Sequence, residues 1–286
     1  MVKLMAGLTP AKINLFLRVV GHRSDGYHLL DSIFLPISIY DRIRLEIRSS
    51  ISPAVTLRCD LPELPTDTRN LAFKAAHAFI SEFGLRAQVL INLEKSIPIG
   101  AGLGGGSSDA GAVLKMMAQL TRIEEDQRLR KIAVGIGADV PFFLNPRASR
   151  VGGIGEEIAP LDSIPELPIL ILVPPIEVST AKIFAQLKPE DWSGPSPQAF
   201  ENSSGTELQS MMVNDLTSTA IKFYPEIGDL LETLKNLGAR ASAMSGSGGA
   251  VFGVFADHEA VAMAAREAVK LAPHAHVIAA RTLRES

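Results

Sequence analysis

The chain has 286 residues, 47% of them apolar and 21% charged, with Lys+Arg at 28 against Asp+Glu at 31. At about 150 residues per domain, that length suggests two domains or one large one, with core enough to need no disulfide or metal staple. The composition excludes long disorder and collagen-like structure. The formal charge of −3 gives no support for nucleic-acid binding by bulk electrostatics, and the single cysteine, Cys59, excludes an intrachain disulfide and a cysteine-based zinc site.

Ile13–Val20 (INLFLRVV) is an apolar-leaning run that ends in the polar turn GHRSDGYH. Arg42–Arg48 (RIRLEIR) alternates polar and apolar side chains, which predicts a strand with one wet face. Residues 49–69 carry Ser, Pro and Asp clusters and predict a loop with a short strand around Val55–Arg58. Leu71–Phe83 has helical spacing, with Asn70 as N-cap and Gly84 as stop. Val89–Leu93 predicts a strand, and Glu124–Val134 a helix followed by GIGADVPFFL. Residues 151–168 are rich in Gly and Pro, and a soft domain boundary falls near 150–165. Leu167–Val173 has the continuous apolar character of a buried strand and stops at Pro174–Pro175. Residues 188–207 form the most loop-like stretch. Pro225–Leu237 predicts a helix stopped by Gly238, Ala239–Phe255 a strand, glycine turn and strand, and Asp257–Leu271 a helix capped by Asp257. The mixture points to an α+β fold in two domains, 1–160 and 161–286. No apolar run reaches the ~18 residues that span a bilayer, and the N-terminal apolar patch is too short for a signal peptide. The expectation is a cytoplasmic protein that engages neither membrane nor nucleic acid.

Between the strand at Val89–Leu93 and the next helix lies Pro98-Ile99-Gly100-Ala101-Gly102-Leu103-Gly104-Gly105-Gly106-Ser107-Ser108. Five glycines let the backbone take positive φ and approach a ligand closely. Ser107 and Ser108 sit where a helix should begin, and a helix N-terminus with free N–H groups attracts anions. Together these features predict a polyphosphate cradle; a plain flexible turn is the alternative. The segment is no Walker loop, because it lacks G-x-x-x-x-G-K-[ST]. Its formal G-x-G-x-x-G match lacks the βαβ context of a dinucleotide site, since Glu124 and Glu125 fall in a polar helical stretch.

A second cluster, Met244-Ser-Gly-Ser-Gly-Gly-Ala-Val-Phe-Gly, is either a tight hairpin turn or a second wall of the same nucleotide site. Lys12, opening an apolar run, is either the wet face of an edge strand or a cation aimed at phosphate or a reacting hydroxyl. Asp139, the only carboxylate from Arg130 to Glu156, is either a helix cap or a functional acid. Tyr27 and His28, in a turn, either stack on a planar ligand or cover a strand. Asp109, two residues into the expected helix, is favourable toward the helix dipole. His274 and His276 alternate on one strand face, but two histidines without further ligands make no metal site.

Taken in order, Pro10-Ala-Lys-Ile-Asn-Leu, the glycine loop 98–108 and Met244-Ser-Gly-Ser-Gly-Gly-Ala-Val-Phe resemble the three motifs of the GHMP kinase superfamily. Asp25-Gly-Tyr-His-Leu-Leu and Gly137-Ala-Asp-Val-Pro-Phe-Phe look like the branch of it that acts on a cytidine diphosphate-linked polyol. The resemblance covers roughly residues 8–255. It implies a two-domain α+β GHMP kinase fold with the active site in the inter-domain cleft and a left-handed βαβ crossover in the N-terminal domain. It implies transfer of the γ-phosphoryl of ATP, with Mg²⁺ accompanying the nucleotide, to the 2-hydroxyl of 4-diphosphocytidyl-2-C-methyl-D-erythritol, on the methylerythritol phosphate route to isoprenoid precursors. The implied roles are these. Pro98 to Ser108 wrap the ATP phosphates, with Lys95 and Asn70 also at the nucleotide. Asp139 accepts the proton of the attacking hydroxyl, and Lys12 keeps Asp139 ionised and stabilises the transferring phosphoryl group. Asn14 positions the polyol hydroxyls, Tyr27 and Phe184 sandwich the cytosine, His28 bonds its edge, and Thr180 contacts the substrate. Gly111 stands where such enzymes usually carry Ala, an exchange expected to weaken the helix by about 0.5–1 kcal/mol. Two alternatives stay open: a superfamily kinase for mevalonate or homoserine, and a module that binds ATP without catalysis.

Overall fold

The alternation along Arg42–Arg48 has its expected consequence: Ile43, Leu45 and Ile47 are buried, while Arg42, Arg44 and Arg48 are exposed. They belong to β2, His28–Ser49, which pairs with β1, Val2–His22, across the turn at residues 23–27. This computed structural model describes residues 2–162, 164–196, 207, 209 and 211–284. It separates into two compact units, one of residues 1–11, 39–99 and 104–146, the other of residues 12–38, 100–103 and 147–286. The sequence reading divides the chain once, at 160/161; the units interleave because β1, β2 and the glycine loop contribute residues to both.

In the first unit, β3 (Ala54–Cys59) and β4 (Ala87–Glu94) run parallel, Ala54 opposite Gln88 and Cys59 opposite Leu93, and α1 (Leu71–Phe83) joins them. A crossover helix is what a parallel pair requires. β4 also pairs antiparallel with β2, Arg42 opposite Glu94. Both ends of α1 are capped as expected: Asn70 Oδ1 accepts from Ala72 N, and Gly84 takes a left-handed φ of 59°. The helices α2 (Gly105–Thr121), α3 (Asp126–Ile136) and α4 (Val140–Phe143) complete this unit. Leu45, Ile91, Phe79, Val113 and Met117 form its core, and each such side chain stabilises by about 1.5–3 kcal/mol on burial.

Two expectations about α2 change here. The helix begins at Gly105, so Asp109 is a full turn inside it, beyond the first turn where the helix dipole acts most strongly. Gly111 is a packing requirement, not a weakness: a Cβ there would lie 2.7 Å from Phe143 Cβ and 2.8 Å from the Phe143 carbonyl carbon.

In the second unit, residues expected as a boundary loop form a hairpin, β5 (Ser149–Gly152) and β6 (Glu157–Pro160), and β5 pairs with β2 through Ser32 opposite Val151. Strands of this length are too short to print a period of two on the sequence. The second sheet contains β7 (Pro168–Val173), β8 (Ala241–Met244), β9 (Val251–Val254) and β10 (His276–Arg281), in the order β10-β7-β9-β8. α5 (Thr180–Gln186), α6 (Thr217–Phe223), α7 (Glu226–Asn236) and α8 (His258–Leu271) accompany it, and the core gathers Leu170, Leu172, Ile227, Leu234, Val251 and Phe255. Asp257 caps α8 by accepting from Ala260 N at 2.8 Å. His274 lies before β10, so the two histidines share no strand face. Of the expected loop 188–207, residues 197–206 lie outside the described residues, and Pro189–Asp191 form a 3₁₀ turn. No helix among the described residues is long and apolar enough to cross a membrane.

Candidate active site

The glycine loop takes the conformations its composition demanded. Gly100, Gly102 and Gly104 have φ of 68°, 81° and 74°, a region that costs an L-side chain about 1–2 kcal/mol. Gly104 caps α2, and Ser108 N closes the first helical bond to its carbonyl at 2.9 Å. The amides of the first turn have no acceptor within a helix, and the positive dipole end lies there. The Cβ position of Gly100 has nothing within 4 Å, while a Cβ on Gly105 would lie 2.9 Å from Ile97. Gly100 thus combines open space with left-handed backbone, which suits close approach of a polyphosphate.

The second glycine cluster is a turn with a further role in the fold. It is the turn between β8 and β9, and it also seats the loop. Ala250 N donates to Ala101 O at 3.0 Å, and Ser245 Oγ donates to Gly102 O at 3.0 Å. A Cβ on Gly102 would overlap the Ser245 carbonyl, and one on Gly248 would overlap the Ala101–Gly102 peptide. These two glycines are demanded by backbone meeting backbone. Asn214 Nδ2 fastens the turn from behind, donating to Met244 O at 2.9 Å and Gly246 O at 2.7 Å.

Lys12 is 3% exposed, which removes the wet-edge reading. Its backbone N–H donates to Leu103 O at 2.9 Å. Its ammonium donates to Asn14 Oδ1 at 2.7 Å and stands 4.7 Å from the Phe34 ring centroid. Asn14 Nδ2 donates in turn to Ser32 Oγ at 2.9 Å, so Asn14 orients the cation. Asp139 occupies the N-cap position of α4 without a side-chain capping bond, which removes the capping reading.

Three other predicted residues are engaged within the protein itself. Lys95 is buried, paired with Asp41 and, at 2.7 Å, with Asp109. Asp41 also accepts from the amides of Ser96 and Ile97, and Thr9 Oγ1 donates to Asp109 at 3.1 Å. Burial pushes the Asp109 carboxyl up to about 7, with Lys95 opposing and Asp41 reinforcing. For Lys95 burial works downward, and the two carboxylates outweigh it, leaving the ammonium above its usual range. Its Nζ lies 3.3 Å from the Cβ position of Gly105, so the network underpins the start of α2. Ser108 Oγ donates to Pro10 O at 2.7 Å and ties α2 to β1. Asn70 is occupied twice, Nδ2 donating to Pro65 O at 3.0 Å and Oδ1 capping α1.

On the expected substrate side, His28 and Phe184 meet with ring centroids 5.3 Å apart. Tyr27 projects from the turn, 59% exposed. Burial, then the neighbouring His22, lowers the His28 pKa, which keeps the ring neutral and able both to donate and to accept. Thr180 Oγ1 lies 2.7 Å from Ser247 Oγ, joining α5 to the second glycine cluster. Sequence reasoning missed Thr9, Asp41, His22, Asn214 and Trp192, whose ring stands edge-on to His28 at 6.1 Å. None of these lies in a distinctive local pattern.

Residues 70–146 match the GHMP kinases N terminal domain, and residues 198–273 the GHMP kinases C terminal domain. A 4-diphosphocytidyl-2-C-methyl-D-erythritol kinase of Citrifermentans bemidjiense is 38% identical over 267 residues, covering 92% of this chain and 94% of that one. This chain belongs to the GHMP kinases. A second relative of the same name, from Geobacter metallireducens, is 37% identical over 277 residues, 96% of this chain and 97% of its own. A crystal structure of 4-(cytidine 5'-diphospho)-2C-methyl-D-erythritol kinase superposes with a TM-score of 0.85 at 35% identity, covering 98% of this chain and 100% of that one. A homoserine kinase from Cytophaga hutchinsonii shares the fold at a TM-score of 0.72 and 18% identity, covering 98% of this chain and 94% of its own. As a GHMP kinase the chain is an ATP-dependent small-molecule kinase, and the glycine loop and α2 fall inside the matched N-terminal stretch.

Proposed function

We propose that this GHMP kinase transfers the γ-phosphoryl of ATP to the 2-hydroxyl of 4-diphosphocytidyl-2-C-methyl-D-erythritol, giving the 2-phosphate on the methylerythritol phosphate route. The observation that carries the reading is identity of 35–38% with proteins bearing that name, along nine-tenths or more of the chain. The neutral His28 beside Phe184 supports it, because a cytosine edge needs a donor and an acceptor next to a stacking face.

Phosphoryl transfer asks a protein for positioning and charge stabilisation more than for covalent chemistry. The loop from Pro98 to Ser107 receives the phosphates through backbone N–H groups and the α2 dipole. Lys95 and Ser108 support the start of α2 from behind, and Asn70 caps α1, through the contacts above. Mg²⁺ would be held chiefly by the nucleotide phosphates, as is common for this ion, and would supply charge neutralisation there. The Asp139 carboxylate accepts the proton of the 2-hydroxyl. The Lys12 ammonium stabilises charge on the transferring group. Asn14 fixes that ammonium and faces the polyol. Tyr27 and Phe184 stack on the cytosine, His28 bonds its edge, and Thr180 meets the substrate beside Ser247.

A coupled ADP-release assay tests this with ATP, Mg²⁺ and each of three acceptors. Release with the diphosphocytidyl polyol alone is the expected result. Turnover of mevalonate or homoserine would retain the kinase and overturn the cytosine assignment. ATP binding without turnover of any of them would overturn catalysis on these acceptors altogether.

A further inference from the structure

The turn between β8 and β9 touches more than the glycine loop. Ser245 Oγ and Ala250 N engage the loop carbonyls. The Cβ position of Gly246 lies 3.3 Å from both Lys12 Nζ and Asn14 Oδ1. Gly249 packs against the segment that leads into α5: a Cβ on it would meet Pro174, Ile176 and Val178 at 3.3 to 3.5 Å. The Ser247 hydroxyl takes no part in those contacts. It lies 2.7 Å from Thr180 Oγ1, on the first residue of α5. One turn therefore stands against the phosphate loop, the Lys12 ammonium and the entry to α5.

The helix α5 does not need that bond to stay in place. Ser179 caps it by accepting from Lys182 N at 3.3 Å, Ser179 N donates to Tyr224 Oη at 3.2 Å, and Ile183 is fully buried. The Thr180 side chain does need it. A threonine in a helix divides between two χ1 rotamers, and Thr180 is exposed, so packing does not choose between them. The bond to Ser247 does. It also fixes what the pair offers a ligand. Each hydroxyl has one proton to donate and lone pairs to accept with. The bond between them consumes one proton, whichever hydroxyl donates, and leaves one free donor beside spare lone pairs. A ligand alcohol both donates and accepts and can use both; a phosphate or carboxylate only accepts. The pair therefore suits a polyol.

We propose that Ser247 is a positioning residue for the acceptor, its hydroxyl holding Thr180 Oγ1 in the rotamer that meets a polyol hydroxyl. This role rests on the acceptor assigned under Proposed function, and initial rates with ATP and the diphosphocytidyl polyol each varied separate the two. Ser247 has no positive φ, so alanine fits the turn. Ser247→Ala should lower kcat/KM for the polyol substrate by about threefold to tenfold, the size of one neutral hydrogen bond, and leave KM for ATP within about twofold. Calorimetric affinity for cytidine 5′-diphosphate, which lacks the polyol, should not change. Ser247→Thr, which keeps a hydroxyl, should recover most of the loss. Thr180→Ala should lose at least as much as Ser247→Ala, and the double variant no more than Thr180→Ala, because residues that act as one unit are not additive. Additive losses would overturn the proposal, as would an unchanged kcat/KM in Ser247→Ala. Equal losses toward ATP and the polyol substrate would reduce Ser247 to a support of the turn and overturn it too. So would a loss toward cytidine 5′-diphosphate as large as that toward the whole substrate. Should Ser247→Ala fail to fold, Thr180→Ala beside Thr180→Ser, which keeps the hydroxyl, decides: equal rates in those two would overturn the proposal. A wild-type protein that binds ATP and does not turn over the diphosphocytidyl polyol would overturn the reading under Proposed function, and this role with it.

Discussion

Replacing Lys95 by Met removes the ammonium that pairs with both Asp41 and Asp109, each almost wholly buried. Met keeps the length of the stem and discards the charge, so packing changes little and electrostatics change much. Removing one partner of a buried pair typically costs about 3–5 kcal/mol, because the remaining charge has lost its solvation and its counter-ion together. Here two carboxylates remain, facing each other. Against a total stability of about 5–15 kcal/mol, that loss is readily measured. Its dependence on pH has a definite sign. Burial already holds Asp109 up at about 7 with Lys95 in place, and without the ammonium the pair must hold its proton to still higher pH. A carboxyl raised in the folded state leaves that state holding more protons than the unfolded one, so stability falls as pH rises through the raised value. Urea titrations of wild type and Lys95→Met at pH 6 and pH 8 should therefore show a deficit at both, larger at pH 8. Adding Asp109→Asn should recover much of it. A deficit under about 1 kcal/mol, equal at the two pH values, would refute the buried pairing and return Lys95 to a direct role at the nucleotide.

Gly102→Ala should raise KM for ATP at least tenfold or prevent folding, because a φ of 81° and overlap with the Ser245 carbonyl both oppose a Cβ. Gly106→Ala, whose Cβ would meet Leu71 at an ordinary 3.6 Å, should fold normally in the same thermal scan. Gly111→Ala should lower Tm, as the clash with Phe143 costs about 1–3 kcal/mol against a helix gain near 1 kcal/mol; a higher Tm would show that α2 and α4 have room to part. Asp139→Asn should lower kcat by about 10²–10⁴ with little change in KM for ATP, and near-normal kcat would remove Asp139 from the base role. Acid titration of the Trp192 emission should show a midpoint below 6.5, since burial and His22 both disfavour the protonated His28 beside it; a midpoint above 6.5 would mean that the ring is more exposed than its neighbours indicate.

What could be read from the sequence was what is encoded locally. The caps of α1 follow from Asn70 and Gly84 alone, and the wet face of β2 from alternation alone. The glycine loop was legible because left-handed backbone leaves a mark in composition. What was not legible depends on partners distant in the chain. Nothing near Lys95 shows that Asp41 and Asp109 will enclose it, 54 and 14 residues away. Trp192 lies in a segment with no period and no motif, and its position depends on Asp31 and Asp215. The interleaving of the two units escaped for the same reason: a strand of 21 or 22 residues belongs to both, and no local pattern marks where one unit ends.

The pairing of the two glycine clusters shows how a distant contact does become readable. Gly102 and Gly248 each lack a side chain because each approaches the other's backbone closely. A glycine needed for a left-handed turn is explained by its own φ, and Gly100, Gly102 and Gly104 all satisfy that account. Gly248 does not: its φ is not positive, and only the presence of Ala101 and Gly102 explains it. A second cluster richer in glycine than its turn requires is therefore evidence of a partner backbone elsewhere in the chain. The hydrogen bonds from Ala250 N and Ser245 Oγ to the loop carbonyls put that partner at Ala101 and Gly102. With the carbonyls of residues 101 and 102 engaged by the second cluster, the loop is held in shape before any anion arrives, which is the preorganisation that phosphoryl transfer asks of a protein.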